Sequence, residues 1–186
     1  MKVILVRHGE SEMNVFNRDK YIMCTGQTDC DLSEEGYIQA EKLRFDLPLS
    51  GVDACFSSDL KRAVRTARAF WDGEIIVDRR LRERTLGDFD GVYVSKILKN
   101  PENLKHFEDG HYKDDFVRKA PNGENYTDVC ARVRSFIEDV RGKYGKIVIV
   151  SHLCAIRCFL HEAGKLTEEE TLEFHVGNCG FVETEI

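Results

Sequence analysis

The run Val3-Ile4-Leu5-Val6-Arg7-His8 decides the fold, and Ile147-Val148-Ile149-Val150-Ser151-His152 repeats its pattern near the other end of the chain. Each run begins with four apolar residues, mostly β-branched, which is typical of a strand covered on both faces in a parallel sheet. In such sheets, ligands bind beyond the carboxyl ends of the strands. We therefore expect His8 and His152 at this edge, where neighbouring strands about 5 Å apart would let the two imidazoles converge on one atom. Two histidines at unrelated strand ends are the alternative.

Further elements alternate along the chain. Apolar runs at residues 54–56 and 75–77 predict two more strands, and the alternating pattern of residues 180–186 predicts an edge strand. Helical periodicity predicts four helices: one that begins after Ser33, one that begins near Asp59, one from about Tyr126 to Val140, and one that follows His152 and ends near Gly164. The predicted fold class is α/β, with three α/β/α layers, a mainly parallel central sheet, an antiparallel edge strand and a lid-like insertion.

Composition limits the classes of function. The chain has 186 residues, a net charge of −6 and 42% hydrophobic residues, so it has a globular and not a disordered composition. An acidic balance argues against a nucleic-acid partner, which requires a basic surface. We expect one domain over residues 1–186, because no linker or repeat is evident. Oligomeric state is left open.

Seven cysteines without a paired framework, and the lack of a signal peptide or a membrane-length apolar run, favour a reduced cytoplasmic protein with no membrane partner. Several of these cysteines lie in apolar runs, where cysteine acts as a small hydrophobic residue.

Residues 88–123 fit neither the strand pattern nor the helix pattern. They contain two prolines, three glycines, scattered aromatic residues and many charges. A stretch this long inside a regular α/β chain is usually functional, so we predict a lid or specificity insertion. A surface excursion without a role is the alternative.

Arg62 lies in the first turn of the predicted second helix, away from its apolar stripe. A cation beside the positive end of a helix dipole is unfavourable unless an anion lies between them, which favours anion binding by Arg62. For Arg65 and Arg68 a solvated helix face is the preferred interpretation.

Four ordered blocks carry a family resemblance: Arg7-His8-Gly9-Glu10-Ser11 with Asn14, Ser57-Ser58-Asp59-Leu60-Lys61-Arg62-Ala63 with Thr66-Ala67, Leu81-Arg82-Glu83 with Leu86-Gly87-Asp88-Phe89-Asp90-Gly91, and Ser151-His152 with Ile156-Arg157. Together they span nearly the whole chain and resemble the signature of the histidine phosphatase (phosphoglycerate mutase-like) superfamily. The short chain resembles the phosphatase branch, since the cofactor-dependent mutases of this family are usually longer.

The resemblance implies a phosphomonoester hydrolase that acts on a small phosphorylated metabolite and releases inorganic phosphate, without a cofactor or a metal. It implies that His8 takes the phosphoryl group as a phosphohistidine, and that Glu83 protonates the leaving oxygen. The implied catalytic residues are His8, Glu83 and His152; the implied phosphate-binding residues are Arg7, Asn14, Arg62 and His152; and the implied substrate or lid residues are Thr25, Gly26 and Tyr93.

General chemistry agrees with these roles. Phosphoryl transfer requires in-line positioning and cations around the equatorial oxygens, and arginines supply planar forks of donors. Cations around His8 should keep it unprotonated and nucleophilic. An alkoxide leaves poorly, so a protonated carboxylic acid is needed. Glu83 has arginine neighbours at 80, 82 and 84, and simple charge pairing with them is the alternative role.

Three departures from the family pattern put the identity of the substrate in doubt: Leu153 replaces a common glycine, Asn125 replaces a usual serine, and Tyr93 replaces a common tryptophan.

Three other interpretations stay open. A mutase would keep the phosphoenzyme dry. A zinc site could use His152, Cys154, Cys158 and His161, although buried cysteines at these positions are favoured. A non-catalytic phospholigand-binding module is the third, because fold does not fix function.

Overall fold

A computed structural model describes residues 1–186. The seven strands are β1 (Lys2–Arg7), β2 (Ala54–Ser57), β3 (Ile75–Val77), β4 (Phe107–Glu108), β5 (His111–Tyr112), β6 (Lys146–Ser151) and β7 (Phe181–Glu185). Five of them form one sheet in the order β3-β2-β6-β1-β7, in which β7 alone runs antiparallel. The predicted mainly parallel sheet and its antiparallel edge strand are therefore confirmed.

Seven α-helices accompany the strands: α1 (Glu12–Phe16), α2 (Glu34–Asp46), α3 (Lys61–Phe70), α4 (Val94–Ile97), α5 (Tyr126–Val140), α6 (Leu153–Glu162) and α7 (Glu168–Glu173). Three 3-10 helices span Arg79–Leu81, Gly87–Phe89 and Pro101–His106. Ser33 caps α2, as predicted, by accepting a hydrogen bond from the Gly36 N–H. The helix predicted near Asp59 begins instead at Lys61, because Leu60 is still extended.

Alternation along β1 assigns its side chains to two layers. Val3 and Leu5 pack with α5 and α6 on one face, whereas Ile4 and Val6 pack with α2 and α3 on the other. Both faces are covered, which is why the run is continuously apolar. None of the helices combines the length and the apolar character needed to cross a membrane.

The register of the two central strands brings their carboxyl ends together. Arg7 of β1 pairs with Ser151 of β6, so His8 and His152 both follow directly after the last paired residues. Ser57 at the end of β2 reaches the same edge, since it pairs with Val150. The expectation that the two histidine-ended strands are neighbours is confirmed.

The segment 88–123 contains only short elements, namely α4, two 3-10 helices and the β4–β5 hairpin. It has a small apolar core of its own, in which Phe89, Val94, Ile97 and Phe107 pack with Cys24. This packing ties the segment to the loop that contains Cys24.

Candidate active site

The two histidines lie side by side in the interior. Their ring centroids are 5.0 Å apart with an interplanar angle of 56°. His8 is 5% exposed and His152 is fully buried. The backbone after β1 is fixed by Thr66, whose hydroxyl accepts a hydrogen bond from the Gly9 N–H at 2.9 Å and donates to the Arg62 carbonyl at 2.7 Å. The ends of β1 and β6 are thus tied to α3.

Hydrogen-bond partners define the tautomer of His8. Its Nδ1 is 2.7 Å from the Gly9 carbonyl, which can only accept, so Nδ1 carries the proton. Its Nε2 is 3.3 Å from Arg62 Nε, which can only donate, so Nε2 presents a lone pair. Burial lowers the pKa of His8 well below its usual value, and the charges of Arg62 and Arg7 lower it further. His8 is therefore neutral, as the sequence predicts.

Arg62 lies in the first turn of α3 and is only 5% exposed, although it carries a charge. Two backbone carbonyls hold its guanidinium: Nη1 donates to Thr28 at 2.8 Å and Nη2 donates to Gly26 at 2.9 Å. Its Nε faces His8. Arg65 and Arg68 are exposed on the same helix, in line with the solvated face predicted for them.

Asp90 fixes the loop that supplies these two carbonyls. Its carboxylate accepts hydrogen bonds from the backbone N–H groups of Gly26, Gln27 and Thr28, at 2.7, 2.9 and 3.2 Å. Gly26 is required at its position because a Cβ there would lie 2.3 Å from the Arg84 carbonyl oxygen. Gly26 therefore acts through its backbone.

His152 contacts Ser58 through Nε2 at 2.9 Å. The Ser58 hydroxyl also accepts from the Leu60 N–H at 3.3 Å, which leaves the hydroxyl proton for His152. In that arrangement Nδ1 is the protonated nitrogen, and it is buried without a partner. Burial lowers the pKa of His152 well below its usual value, and the nearby Arg62 charge lowers it further.

Arg7 and Asn14 present donors to the same region. Arg7 Nη1 donates to the Val176 carbonyl at 2.8 Å, whereas Arg7 Nε is buried without a partner. The Oδ1 of Asn14 accepts from the Ser11 N–H and hydroxyl, at 3.0 and 2.9 Å, in a capping box that begins α1. The remaining amide group of Asn14, Nδ2, is a donor.

Glu83 forms no ion pair with its arginine neighbours. Arg82 pairs with Asp59 at 2.6 Å, and Arg84 pairs with Asp114 at 2.7 Å. The Glu83 carboxylate instead accepts from the Arg84 N–H at 2.8 Å and the Cys154 N–H at 3.4 Å. The charge-pairing alternative for Glu83 is therefore not the observed arrangement.

A cavity of about 200 Å³ opens over these groups. Six of the sequence-predicted site residues line it: Arg7, His8, Asn14, Thr25, Arg62 and Glu83. His152 has no exposed surface and does not line this cavity, and Gly26 lines an adjoining cavity. Tyr93 lies apart from both cavities; it is half exposed, and its ring meets the edge of Phe16 at 6.3 Å.

Sequence reasoning did not single out Ser58, Asp90, Asp114 or Arg157 as site residues, although each contacts or lines this region. Ser58, Asp90 and Arg157 lie inside the motif blocks, which is a signal that could have found them. Asp114 lies in the irregular segment 88–123 and has no sequence signal.

The side chains of the alternative zinc site, His152, Cys154, Cys158 and His161, do not converge on one point. His152 contacts Ser58, Cys154 Sγ accepts from the Tyr126 hydroxyl at 3.3 Å, and His161 Nδ1 is 3.0 Å from the Leu166 carbonyl. The possible ligand atoms that do lie within 4.8 Å of one another belong to Cys130, His161 and Glu162. Both carboxylate oxygens of Glu162 already bind Arg134, at 2.7 and 3.1 Å.

Comparison with protein families agrees with this geometry. The family model described as "Histidine phosphatase superfamily (branch 1)" matches residues 3–186. The chain belongs to this superfamily. Its relatives in this superfamily include both phosphatases and mutases. Phosphoserine phosphatase 1 of Hydrogenobacter thermophilus is 34% identical over 84% of this chain and 73% of its own length. A 2,3-bisphosphoglycerate-dependent phosphoglycerate mutase of Mesorhizobium japonicum is 28% identical over 94% of this chain and 87% of its own length.

Solved histidine phosphatase structures superpose along the whole chain. A mycobacterial glucosyl-3-phosphoglycerate phosphatase is 27% identical and matches with a TM-score of 0.81, covering 98% of this chain and 88% of its own. Phosphoserine phosphatase from Entamoeba histolytica, in complex with 3-phosphoglyceric acid, is 26% identical and matches with a TM-score of 0.77, covering 98% and 89%. The predicted family and fold class are confirmed, and the chain is a phosphatase of the histidine type.

Proposed function

We propose that the chain hydrolyses a small phosphomonoester through a phosphohistidine intermediate on His8, with Glu83 as the proton donor. The observation that carries this proposal is the tautomer of His8, since its Nε2 lone pair faces the Arg62 guanidinium inside a cavity lined by cations. A neutral imidazole nitrogen beside an arginine fork is suited to attack a phosphorus atom whose oxygens that fork holds.

The phosphoryl group would take its donors from Arg7, Arg62 and Asn14, which line the cavity. The unpartnered Arg7 Nε and the free Asn14 amide group support this role. His152 would donate from its unpartnered Nδ1, because Ser58 occupies its other nitrogen. These donors hold the charge that develops on the equatorial oxygens and require little reorganisation.

Transfer proceeds in two steps. In the first step, a bond forms between His8 Nε2 and phosphorus while the bond to the ester oxygen breaks, and Glu83 gives its proton to the leaving alkoxide. The proton stays on His8 Nδ1, which donates it to the Gly9 carbonyl, and this hydrogen bond stabilises the charged imidazole. In the second step, water attacks phosphorus, Glu83 takes the water proton, and inorganic phosphate leaves as the bond to Nε2 breaks.

The leaving group would lie against the segment 88–123 and Thr25. Asp114 of this segment lines the cavity over His8, and His111 and Tyr112 line the cavity beside it. This placement supports a specificity role for the segment. The solved relatives act on, or hold, small phosphorylated acids according to their names, which supports a metabolite as the substrate class.

The test is release of inorganic phosphate from a panel of phosphomonoesters by the purified protein, compared for wild type and His8→Ala. We expect release by wild type only, and acid-labile phosphate bound to wild type only. His175→Ala is the matched control, because His175 is exposed and does not line the cavity. Full activity of His8→Ala would overturn the mechanism.

The same assays separate the two other functions. A mutase, favoured by the relative from Mesorhizobium japonicum, would isomerise phosphoglycerates rapidly with little release of phosphate. A binding module would hold phosphoesters without forming acid-labile phosphate. Either result would replace the phosphatase proposal.

A further inference from the structure

A second cavity of about 440 Å³ adjoins the cavity over His8. Six residues line both: Arg7, Thr25, Glu83, Asp114, Leu153 and Cys154. Since Glu83 faces the leaving oxygen in the proposed reaction, the rest of the leaving group must extend along this shared wall. Asp114 is the other acidic side chain on the wall.

Two buried guanidinium groups fix the Asp114 carboxylate. Arg84 Nη2 donates to one carboxylate oxygen at 2.7 Å, and Arg157 Nη1 donates to the other at 2.6 Å. The side chains of Arg84 and Arg157 are only 5% and 8% exposed, whereas that of Asp114 is 33% exposed. The carboxylate, with its remaining lone pairs, is therefore the most exposed group of this cluster, in which Arg157 also lines the first cavity and Arg84 the second.

Further contacts hold the guanidinium groups of Arg84 and Arg157 in place. Arg157 also donates to the Phe174 carbonyl at 2.6 Å and to the Tyr126 hydroxyl at 2.8 Å. The Arg84 guanidinium lies over the rings of Tyr112 and Tyr126, 5.1 Å from each centroid. Protein groups engage both guanidinium groups, although the buried Arg84 Nε has no partner. Of the two arginines, Arg84 lines the second cavity and Arg157 lines the first.

Three aromatic side chains line the second cavity: Tyr21, His111 and Tyr112. Tyr21 and His111 line it and stack on each other with centroids 5.2 Å apart. An aromatic wall next to a fixed carboxylate is the chemistry that recognises an ammonium group, through a charge-assisted hydrogen bond and the quadrupole of the ring.

We propose that Asp114 is a specificity-determining residue that binds an ammonium group on the leaving group, so that the substrates are O-phosphorylated amino alcohols. This inference rests on the proposed phosphatase function. Glu83 and Asp114 line the same cavity over His8. In this proposal, an ammonium on the carbon next to the ester carbon binds Asp114 while Glu83 meets the ester oxygen. Phosphoserine, named for several relatives, carries its ammonium at that carbon.

The test uses two achiral substrates that differ only at the second carbon, phosphoethanolamine and 2-hydroxyethyl phosphate. We expect wild type to show a kcat/KM about tenfold or more higher for phosphoethanolamine. A tenfold change corresponds to about 1.4 kcal/mol, and a hydrogen bond between charged partners contributes at least that much. Asp114→Asn should bring the ratio close to one by raising KM for phosphoethanolamine, and Asp114→Glu should retain part of the preference. Asp115→Asn is the matched control, because Asp115 pairs with Arg118 outside both cavities.

The outcomes separate this inference from the proposed function. Equal kcat/KM for the two esters in wild type, or the same ratio in wild type and a folded Asp114→Asn, would overturn the role of Asp114 while leaving the phosphatase intact. Release of phosphate from neither of these esters but from others of the panel would overturn this inference alone, whereas release from no ester of the panel, with no acid-labile phosphate on the protein, would overturn both. The wild-type ratio decides the preference even if Asp114→Asn does not fold, and Asp114→Glu then tests the residue.

Discussion

Asp90→Asn tests whether the carboxylate of Asp90 positions Arg62 from a distance. One oxygen of Asp90 accepts from the N–H groups of Gly26 and Thr28, and the other accepts from those of Gln27 and Leu86. Asparagine retains one acceptor oxygen, and its NH₂ group must face two of these N–H donors. The substitution therefore leaves two backbone donors without an acceptor.

The magnitude follows from these contacts. The Gln27 bond is 2.9 Å long and the Leu86 bond 3.3 Å, so one strong and one weak bond to a charged acceptor are lost. We expect the free energy of unfolding to fall by about 2–4 kcal/mol. We also expect kcat/KM to fall by about 10²-fold, because the freed loop supplies the carbonyls that hold Arg62, and a shift of about 1 Å in a positioning group has effects of this size.

Urea unfolding measures the first effect, and phosphate release under conditions where the variant is fully folded measures the second. Asp88→Asn is the matched control: Asp88 is exposed and accepts one side-chain bond, from Asn122 at 2.9 Å. If Asp90→Asn changes neither stability nor kcat/KM more than Asp88→Asn does, the reasoning about the Asp90 clamp is wrong.

Three further predictions concern the same site. Thr66→Val should lower the free energy of unfolding by about 1–3 kcal/mol, because the buried Gly9 N–H loses its acceptor; a change no larger than that of Thr127→Val, measured by urea unfolding, would contradict this. Glu83→Gln should slow hydrolysis of alkyl phosphates by about 10²-fold or more and aryl phosphates much less, and equal slowing of both would reject Glu83 as the acid. Stability should fall as pH drops below about 6.5, because the unfolded chain then binds protons that the buried, neutral His152 does not; His152→Gln should reduce this slope in pH-dependent unfolding, and an unchanged slope would refute it.

How far the sequence predicts the site differs from residue to residue. His8 and His152 follow apolar strands with unmistakable periodicity, and the rule that ligands bind at the carboxyl edge requires only that the strands be neighbours. Arg62 is predicted to bind an anion because its charge is unfavourable beside the positive end of the helix dipole. The structure buries its side chain beside His8. Tyr93, by contrast, is predicted only from its motif position, and its half-exposed side chain lies beside Phe16, outside both cavities. Whether it contacts substrate stays a prediction.

Partners distant in sequence could not be predicted. Glu83 has three arginine neighbours in sequence, yet Arg84 turns to Asp114 and Arg82 to Asp59, because an ion pair forms where the backbone brings side chains together. The Asp90 clamp joins residues more than 60 positions apart for the same reason. No local pattern encodes such contacts.

By itself, the sequence determined the α/β class and the parallel core and placed a histidine after each of two buried strands, because strand periodicity depends on local residue types. The tertiary structure decided that these strands are neighbours, so that the two histidines meet. Only the tertiary structure decided which nitrogen of His8 carries a lone pair, which carbonyls hold Arg62, and that Asp114 faces the cavity with two arginines behind it. These properties depend on hydrogen bonds between segments far apart in the chain, and their directions exist only once the layers have packed.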